Sequence, residues 1–173
     1  MIFMSINYIA ALLFSLFSIL CSFGQDNLDI KEIYIDNGLV YKVSNNTRFT
    51  GVAQKVRKNG HVVFEDFYND GVILHSINYF NSRNKEPAAK TIYHKNFVPK
   101  QTVKYLSNEK GAWQELTHYD ENGLKILEET KRDGIITYSC EFLNGKKHGK
   151  EYCFEEDGTK LTFYYRRGKK IKQ

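Results

Sequence analysis

The stretch Gly145 to Lys150, with the sequence GKKHGK, is the segment of this chain that most resembles a reactive loop. A phosphate-binding loop needs the pattern G-x-x-x-x-G-K-[ST], followed by a helix whose first amides face the phosphate. Here the two glycines are one residue too close, and Glu151 stands where the Ser or Thr is required. Because a strand-like segment follows, these residues are predicted to form a hairpin corner and not a nucleotide site.

The other residues that could carry chemistry are scattered along the chain. The histidines match no metal-ligand spacing and no CxxC pair is present; they are His61, His75, His94, His118 and His148. Adjacent acids such as Glu128 and Glu129 face opposite sides of a strand, so they do not form an acid–base pair. No nucleophile-elbow motif is present. We therefore expect no catalytic residue, no metal ligand and no cofactor, and a protein that is not an enzyme.

A cluster of basic residues near the carboxyl end is the remaining candidate for binding. No acid follows Asp157, and the candidate partner contacts are Lys160, Arg166, Arg167, Lys169 and Lys170. Aromatics are interleaved with these cations, as in single-strand nucleic-acid binding, but aromatics at a period of two in a sheet normally pack against neighbours. We expect a protein partner or, as the alternative, an anionic membrane surface. Nucleic acid and small molecules are not expected as ligands.

Asn-Gly and Asp-Gly pairs recur along the chain and are strong signals of hairpin turns. They lie at 37–38, 59–60, 70–71, 122–123, 133–134, 144–145 and 157–158. Several successive glycines are 10 or 11 residues apart, which leaves room for a strand of about six or seven residues and a short turn. The segments between them are rich in β-branched and aromatic residues. The predicted fold class is all-β, a repetitive antiparallel β-hairpin meander that forms one elongated twisted sheet.

Two segments depart from this period. Residues 30–51 are predicted to form a lead-in hairpin before the first repeat. The polar segment 82–90 is predicted to be an extended loop, with strands over 91–97 and 101–107. The chain is therefore expected to form a single domain over 25–173, with an irregular segment near 81–111.

The alternation also bears on Cys140 and Cys153. Cys140 shares a face with Tyr138, whereas Cys153 shares a face with Glu151 and Glu155. If the apolar faces of both strands point to one side of the sheet, the two cysteines point to opposite sides. We expect two unpaired structural cysteines, with a disulfide as the alternative.

The first 24 residues have the composition of an export signal. They contain no Lys, Arg, Asp or Glu, and their apolar run at 9–20 suits a signal peptide. This run is short for a membrane span, which needs about 20 residues. We expect 1–24 to be a cleaved signal peptide and the protein to be exported to the periplasm, the cell envelope or the medium. An uncleaved anchor is one alternative, and lipidation of Cys21, which the bulky Leu20 disfavours, is another.

The segment 142–170 resembles the bacterial variant of the MORN repeat. The matching positions are Phe142, Asn144, Gly145, Lys146, Gly149, Tyr152, Phe154 and Gly158. Residues 41–71 resemble a second copy, and 118–134 resemble a weaker one. The resemblance and the turn period together place structural repeat turns at Gly51, Gly60, Gly71, Gly123, Gly134, Gly145, Gly149, Gly158 and Gly168. The aromatics Phe142, Tyr152, Phe154, Phe163 and Tyr165 are expected to form one packed stripe.

Families with this repeat are commonly labelled YwqK-type antitoxins. Stacked hairpins offer an extended surface and edges rather than a deep enclosed pocket. We therefore expect a non-enzymatic exported binding module that presents a β-sheet surface to a protein partner, with an immunity or antitoxin role as its specific form. The alternative is an envelope-associated structural or membrane-surface protein that docks through its basic C-terminal tail.

Overall fold

A computed structural model describes residues 26–155 and 157–172 of the chain, and most of them are in β-strands. The strands are β1 (Asp26–Asp29), β2 (Ile33–Asp36), β3 (Leu39–Lys42), β4 (Gly51–Val56), β5 (Val62–Asn69), β6 (Val72–Tyr79), β7 (Pro87–Tyr93), β8 (Pro99–Asn108), β9 (Gly111–Tyr119), β10 (Lys125–Arg132), β11 (Ile135–Leu143), β12 (Lys146–Phe154), β13 (Lys160–Arg166) and β14 (Lys169–Ile171). A short 3-10 turn covers Ile30–Glu32. The predictions of a signal peptide, an anchor or lipidation concern residues 1–24, which lie outside the described residues.

Within these ranges, twelve strands form one open sheet, and β1 and β14 lie at its two edges. From β4 to β14 each strand pairs antiparallel with the next strand along the chain. The predicted all-β meander is therefore confirmed. One feature departs from a simple meander, because β1 pairs parallel to β4. The strands β2 and β3 form the predicted lead-in hairpin as a separate two-stranded sheet.

The Asn-Gly and Asp-Gly pairs connect adjacent strands at every predicted position. In the two-residue loop Asn144–Gly145 both residues have positive φ, at 50° and 73°. This is the type I′ geometry that matches the twist of the flanking strands. At Gly60 the loop is longer, since the Arg57 N–H donates to the carbonyl of His61 and the Gly60 N–H donates to that of Arg57.

Gly51 and Gly149, predicted to be turn residues, lie in strands instead. Gly51 is the first residue of β4, and a Cβ there would overlap the backbone oxygen of Asp26. Gly149 lies inside β12 beside a shift in the register between β11 and β12, and a Cβ there would overlap the Glu141 carboxylate. Both glycines permit a close approach inside the sheet, which the repeat pattern alone does not distinguish from a turn.

The segment 81–111, predicted to be irregular, continues the sheet through β7 and β8. The predicted loop over 82–90 is shorter than expected, because β7 begins at Pro87. β7 ends at Tyr93 and β8 begins at Pro99. Proline usually signals a loop, but it is tolerated as the first residue of a strand because its missing N–H costs least there.

The densest packing lies at the N-terminal end of the sheet. The buried cluster comprises Val40, Phe49, Ala53, Tyr68 and Ile73. The chain around β3 reaches the β5–β6 turn through backbone hydrogen bonds: the Val40 N–H donates to the Gly71 carbonyl at 2.8 Å, and the Gly71 N–H donates to the Phe49 carbonyl at 2.8 Å. The lead-in segment thus covers part of one face of the sheet and completes a small core. Among the described residues after β6, the buried apolar side chains are those of Val103 and Cys140.

Candidate functional site on the C-terminal strands

The register of the last three strands assembles a positively charged surface from residues that are separated in the sequence. Lys150 pairs with Tyr164 and Phe154 pairs with Lys160 across β12 and β13, and Tyr164 pairs with Ile171 across β13 and β14. Directly paired residues point to the same side of a sheet. The basic–aromatic face therefore comprises Lys150, Tyr152, Phe154, Lys160, Thr162, Tyr164, Arg166, Lys169 and Ile171. Four of these nine residues are cations and none is an acid.

Two cations of this face, Lys150 and Lys160, lie near the ring of Tyr152. The Lys160 Nζ is 4.0 Å from the ring centroid of Tyr152 and 5.6 Å from that of Phe154. At exposed sites such cation–π contacts contribute about 0.5–1 kcal/mol each. Phe154 is 42% exposed and Ile171 is 40% exposed. The face thus combines positive charge with accessible apolar area.

In the described part of the chain, ion pairs involve the cations of other regions, such as Lys42 with Asp26 and Lys85 with Glu65. The four cations of the basic–aromatic face form none with a described carboxylate. Near one of them, the Glu141 carboxylate accepts a hydrogen bond of 2.8 Å from the backbone N–H of Lys150.

The structure brings together three of the five predicted partner contacts. Lys160, Arg166 and Lys169 lie on the basic–aromatic face. Lys170 lies on the opposite face, where its Nζ is 3.6 Å from the ring centroid of Phe163. Arg167 is in the β13–β14 turn, and its N–H donates to His148 Nδ1 at 3.4 Å. Sequence reasoning missed the contribution of Lys150 on β12, because the register that places it beside β13 depends on the turn between these strands.

The opposite face of the same strands contains a buried carboxylate. Glu151 is 7% exposed, and its Oε1 accepts a hydrogen bond of 3.0 Å from the Tyr138 hydroxyl and another from Lys147 Nζ. Burial opposes ionisation of Glu151, but hydrogen bonds from Lys147, Tyr165 and Tyr138 outweigh it, so the pKa of this carboxyl lies below its ordinary value. The hydrogen bond between Lys147 and Glu151 also raises the pKa of Lys147. Glu151 and Lys147 thus form an ion pair within the sheet, and the Tyr138 hydroxyl supplies a further hydrogen bond to it.

The two cysteines are unpaired, but the reason expected from the sequence is wrong. Cys140 pairs with Glu151, and Tyr138 pairs with Cys153. Both thiols therefore lie on the same face of the sheet, two positions apart along the ladder, and both are free. The expectation failed because it assumed that the apolar faces of β11 and β12 point to the same side.

The same register divides the predicted aromatic stripe between the two faces. Phe142, Phe163 and Tyr165 lie on the face of Glu151, whereas Tyr152 and Phe154 lie on the basic–aromatic face. Neither face of these strands is purely apolar, so each one carries part of the packing.

The histidines occupy separate structural positions. His118 Nε2 lies 3.0 Å from Glu129 Oε2, and His75 stacks on Phe67 with ring centroids 4.2 Å apart. Burial, and then the charge of Lys90, lowers the pKa of His75. Over residues 26–155 and 157–172, no group of three or more His, Cys, Asp or Glu side chains is arranged to hold a metal ion.

An open groove of about 830 Å³ lies at one end of β6, β7 and β8. Its walls include Leu74 and Ile92, with Lys90 and Lys100 beside them, and Glu121 is the one carboxylate among its lining residues. His75 and His94 also line the groove: His75 stacks on Phe67, and His94 Nε2 lies 3.1 Å from the carbonyl oxygen of Tyr119.

No helix among the described residues is long and apolar enough to cross a membrane.

The fold and these surfaces define a class, a β-meander protein built on one long open sheet. No protein-family model matches the chain, and a search of curated proteins found no match. A crystal structure of a GtfA/B complex bound to UDP and GlcNAc is similar to 77% of this chain, with 12% sequence identity and a TM-score of 0.34. The similarity covers 23% of that chain, so this protein spans about a quarter of its length.

Proposed function

We propose that this protein is a non-enzymatic exported binding module that presents its basic–aromatic face to an acidic protein partner. The observation that carries the proposal is the composition of this face, in which four cations and three aromatic residues share one side of three strands and none of the nine residues is an acid. Elsewhere on the sheet, carboxylates lie beside the basic side chains, such as Glu65 beside Lys85 and Glu128 beside Lys125.

Each component of the face has a distinct role in binding. Unpaired Lys and Arg side chains attract an acidic surface and raise the association rate, an effect that salt weakens. Aromatic residues at the centre of an interface supply most of the apolar contact energy. Exposed Phe154, between Tyr152 and Lys160, is positioned to make such a contact.

The resemblance of 41–71 and 112–170 to MORN repeats supports the same proposal, because stacked hairpins present broad surfaces. The specific form of the proposal is an immunity or antitoxin function, in which the acidic partner is a toxin and the face occludes it. Deletion of the gene should then make its source cell sensitive to the product of a neighbouring gene, and unchanged growth would contradict this specific form.

The binding proposal is tested with a triple variant, Lys160→Ser, Arg166→Ser and Lys169→Ser, of the purified full-length protein. Three exposed lysines of other regions, Lys55, Lys58 and Lys110, provide a matched control when changed to Ser.

We expect the parent and the control to capture the same acidic protein from extracts of the source, and the triple variant to lose it. With that partner purified, the triple variant should bind it at least tenfold more weakly than the parent does. Added salt should weaken the binding of the partner most for the parent. Equal capture by all three proteins would refute the proposal.

A second candidate function is docking on an anionic membrane surface through the same face. The exposed Phe154 and Ile171 beside four cations favour it, because apolar side chains insert at the headgroup level while lysines contact anionic lipid. Each basic residue near the surface contributes roughly 1 kcal/mol. Cosedimentation of the parent, but not the triple variant, with anionic vesicles at low salt would support this function. Absence of binding to vesicles would exclude it.

A further inference from the structure

The open groove beside β6, β7 and β8 lies where two strands carry a β-bulge. Leu74 is an extra residue in the pairing of β6 with β5, and Lys100 is an extra residue in the pairing of β8 with β7. A bulge bends its strand and redirects the side chain of the extra residue. Leu74 and Lys100 both line the groove, and Leu74 is 46% exposed. The two bulges thus bring an accessible apolar side chain and a cation to one hollow.

The floor of the groove lies on the side of the sheet opposite to the buried cluster. His75 pairs with Ile92 and stacks on Phe67. Lys90, two residues before Ile92, shares their side of the sheet. Tyr68 belongs to the buried cluster and follows Phe67 in β5, so it points to the other side. The groove floor is therefore separate from the core that the lead-in segment completes.

The loop between β7 and β8 forms one wall, and its backbone is held in an unusual conformation. Asn96 and Phe97 have positive φ, at 57° and 61°, which is rare for a bulky residue such as phenylalanine. Phe97 packs against the buried cluster, and its ring centroid is 6.4 Å from that of Tyr93. Lys95, Asn96 and Val98 line the groove beside this anchor. Backbone strain persists only where packing enforces it, so this wall is preformed.

The groove has more cations than acids among its described lining residues. Three lysines, Lys90, Lys95 and Lys100, line it together with one carboxylate, Glu121. None of the three lysines forms an ion pair with a carboxylate of residues 26–155 or 157–172. Burial and then the charge of Lys90 lower the pKa of His75, so this positive charge reaches the groove floor. Apolar walls with an excess of positive charge favour an anion that has an apolar body.

Two further acids lie near the groove, and both are engaged elsewhere. Glu65 is on the same side of the sheet, but Ile77 separates it from Lys90, and its carboxylate pairs with Lys85. Asp120 lies in the β9–β10 turn, where its Oδ1 accepts two hydrogen bonds of 2.9 Å from backbone N–H groups of the same turn. Neither interaction neutralises a lysine of the groove.

We propose that the groove binds a free carboxylate with a hydrocarbon chain, as in a medium-chain fatty acid. The lysines attract the carboxylate, and Leu74 and Ile92 contact the chain. The distance from β6 to β8 is about 10 Å, which suits a chain of about eight to ten carbons. The sequence does not indicate such a ligand, because both bulges depend on pairing between strands.

An acidic peptide is a poorer match to the same charges. His75, Lys90 and Ile92 each pair with a strand on both sides, so the groove floor offers no free edge for an added strand. The inference also goes beyond the proposed function, since no residue that lines the groove belongs to the basic–aromatic face.

The proposal is tested by titrating the full-length protein with octanoate, below the concentration at which it forms micelles, and measuring heat by calorimetry. Two comparison ligands keep the chain and change the head: 1-octanol removes the charge, and octylammonium reverses it. Decanoate keeps the head and lengthens the chain.

Two protein variants separate charge from apolar contact. The charge variant is Lys90→Ser with Lys100→Ser, and its matched control is Lys55→Ser with Lys58→Ser, two exposed lysines of another region. The apolar variant is Leu74→Ser, and its control is Leu143→Ser, because these leucines are 46% and 51% exposed.

We expect octanoate to bind the parent and both controls equally, with a Kd of about 1 mM or lower. The charge variant should bind it at least tenfold more weakly, and Leu74→Ser at least threefold more weakly. 1-Octanol should bind the parent at least fivefold more weakly than octanoate does, and octylammonium should not bind. Decanoate should bind about fourfold more tightly than octanoate, because two more methylenes are partly buried. On the ¹⁵N-labelled protein, octanoate should shift the amides of 72–75, 90–96 and 98–100.

Five outcomes would overturn the proposal. They are absence of octanoate binding, equal binding of octanoate and octylammonium, binding that begins only with micelles or anionic vesicles, shifts confined to β12–β14, and displacement of nothing when octanoate is added to the groove occupied by the peptide Glu-Val-Glu-Val. The two proposals fail separately. If octanoate binds the groove while the triple variant captures the same proteins as the parent, the proposed function is wrong and the groove site stands. If the triple variant loses the acidic partner and octanoate does not bind, the groove site is wrong and the proposed function stands.

Discussion

The two ends of the sheet bury their apolar side chains in different ways. At the N-terminal end, residues 30–51 fold back over the strands, and Val40 and Phe49 are fully buried. On β12 to β14 no such segment of the described chain covers the sheet, and Phe154 remains 42% exposed. The strands at both ends have similar alternating sequences. Burial of Val40 and Phe49 therefore depends on the covering segment rather than on the pattern within a strand.

Charged groups, in contrast, are buried in the same way at both ends. Glu65 accepts hydrogen bonds of 2.6 Å from the Tyr79 hydroxyl and from Lys85 Nζ, just as Glu151 accepts from Tyr138 and Lys147. Glu65 is 8% exposed and Glu151 is 7% exposed. Long tyrosine and lysine side chains thus shield a carboxylate even where the sheet is a single layer.

The largest difference between the two ends is expected from removing a phenylalanine ring. Phe49→Ala leaves a cavity in the covered core and should lower the free energy of unfolding by about 3–5 kcal/mol. Phe154→Ala removes a ring that is already 42% exposed, so the loss should be about 1 kcal/mol or less. Urea unfolding followed by circular dichroism measures both values. Equal losses would show that the two ends do not differ in packing.

Gly51 provides a second test of the covered end. Gly51→Ala places a Cβ against the backbone of Asp26 and should cost about 3 kcal/mol, because β1 must move away from β4. Gly60→Ala is the matched control, since this glycine also has positive φ but has open space around it. Its cost should be about 1 kcal/mol, from the backbone strain alone. Hydrogen exchange should show loss of protection at 52–54 only in Gly51→Ala; protection that stays intact there would argue against this packing role.

A change at Glu151 tests the uncovered end. Glu151→Gln removes the charge that Lys147 and Tyr138 contact, and should lower the free energy of unfolding by about 2 kcal/mol at pH 7. The folded pKa of Glu151 lies below its ordinary value of 4.5. The stabilisation is therefore present above pH 4.5 and is lost as the pH falls through the folded pKa.

The difference between the parent and Glu151→Gln should accordingly shrink in acid, as measured by urea unfolding at a series of pH values. The exposed Glu109→Gln serves as the control and should change nothing. A difference that is independent of pH would mean that packing, and not charge, accounts for the loss.

The smallest expected difference is in the reactivity of two thiols, Cys140 on β11 and Cys153 on β12, which lie on the same face of the sheet. Cys140 is fully buried, and burial raises its pKa, whereas Cys153 is partly exposed. Iodoacetamide should therefore modify Cys153 faster than Cys140 in the native protein. Mass spectrometry of the digested protein measures both rates. Faster modification of Cys140 would contradict its burial in the folded protein.

Much of the fold could be predicted because its turns are local. The glycine of every Asn-Gly and Asp-Gly pair has positive φ, and at 37–38, 70–71, 133–134 and 144–145 the preceding residue does too, so a few adjacent residues determine each hairpin. The candidate site was predicted in part. Lys160 and Arg166, two of the predicted contacts, lie on one side of β13, as local alternation within a strand requires.

The sequence by itself thus determined the class of fold, the position of most turns and the alternation along each strand. Only the tertiary structure decided which sides of neighbouring strands coincide: the pairing of Cys140 with Glu151 places Cys153, two residues beyond Glu151, on the side of Cys140. It also decided the parallel pairing of β1 with β4 and the burial of Phe49. These features depend on contacts between residues distant in the sequence, and the free energy of such contacts is not encoded in any short segment.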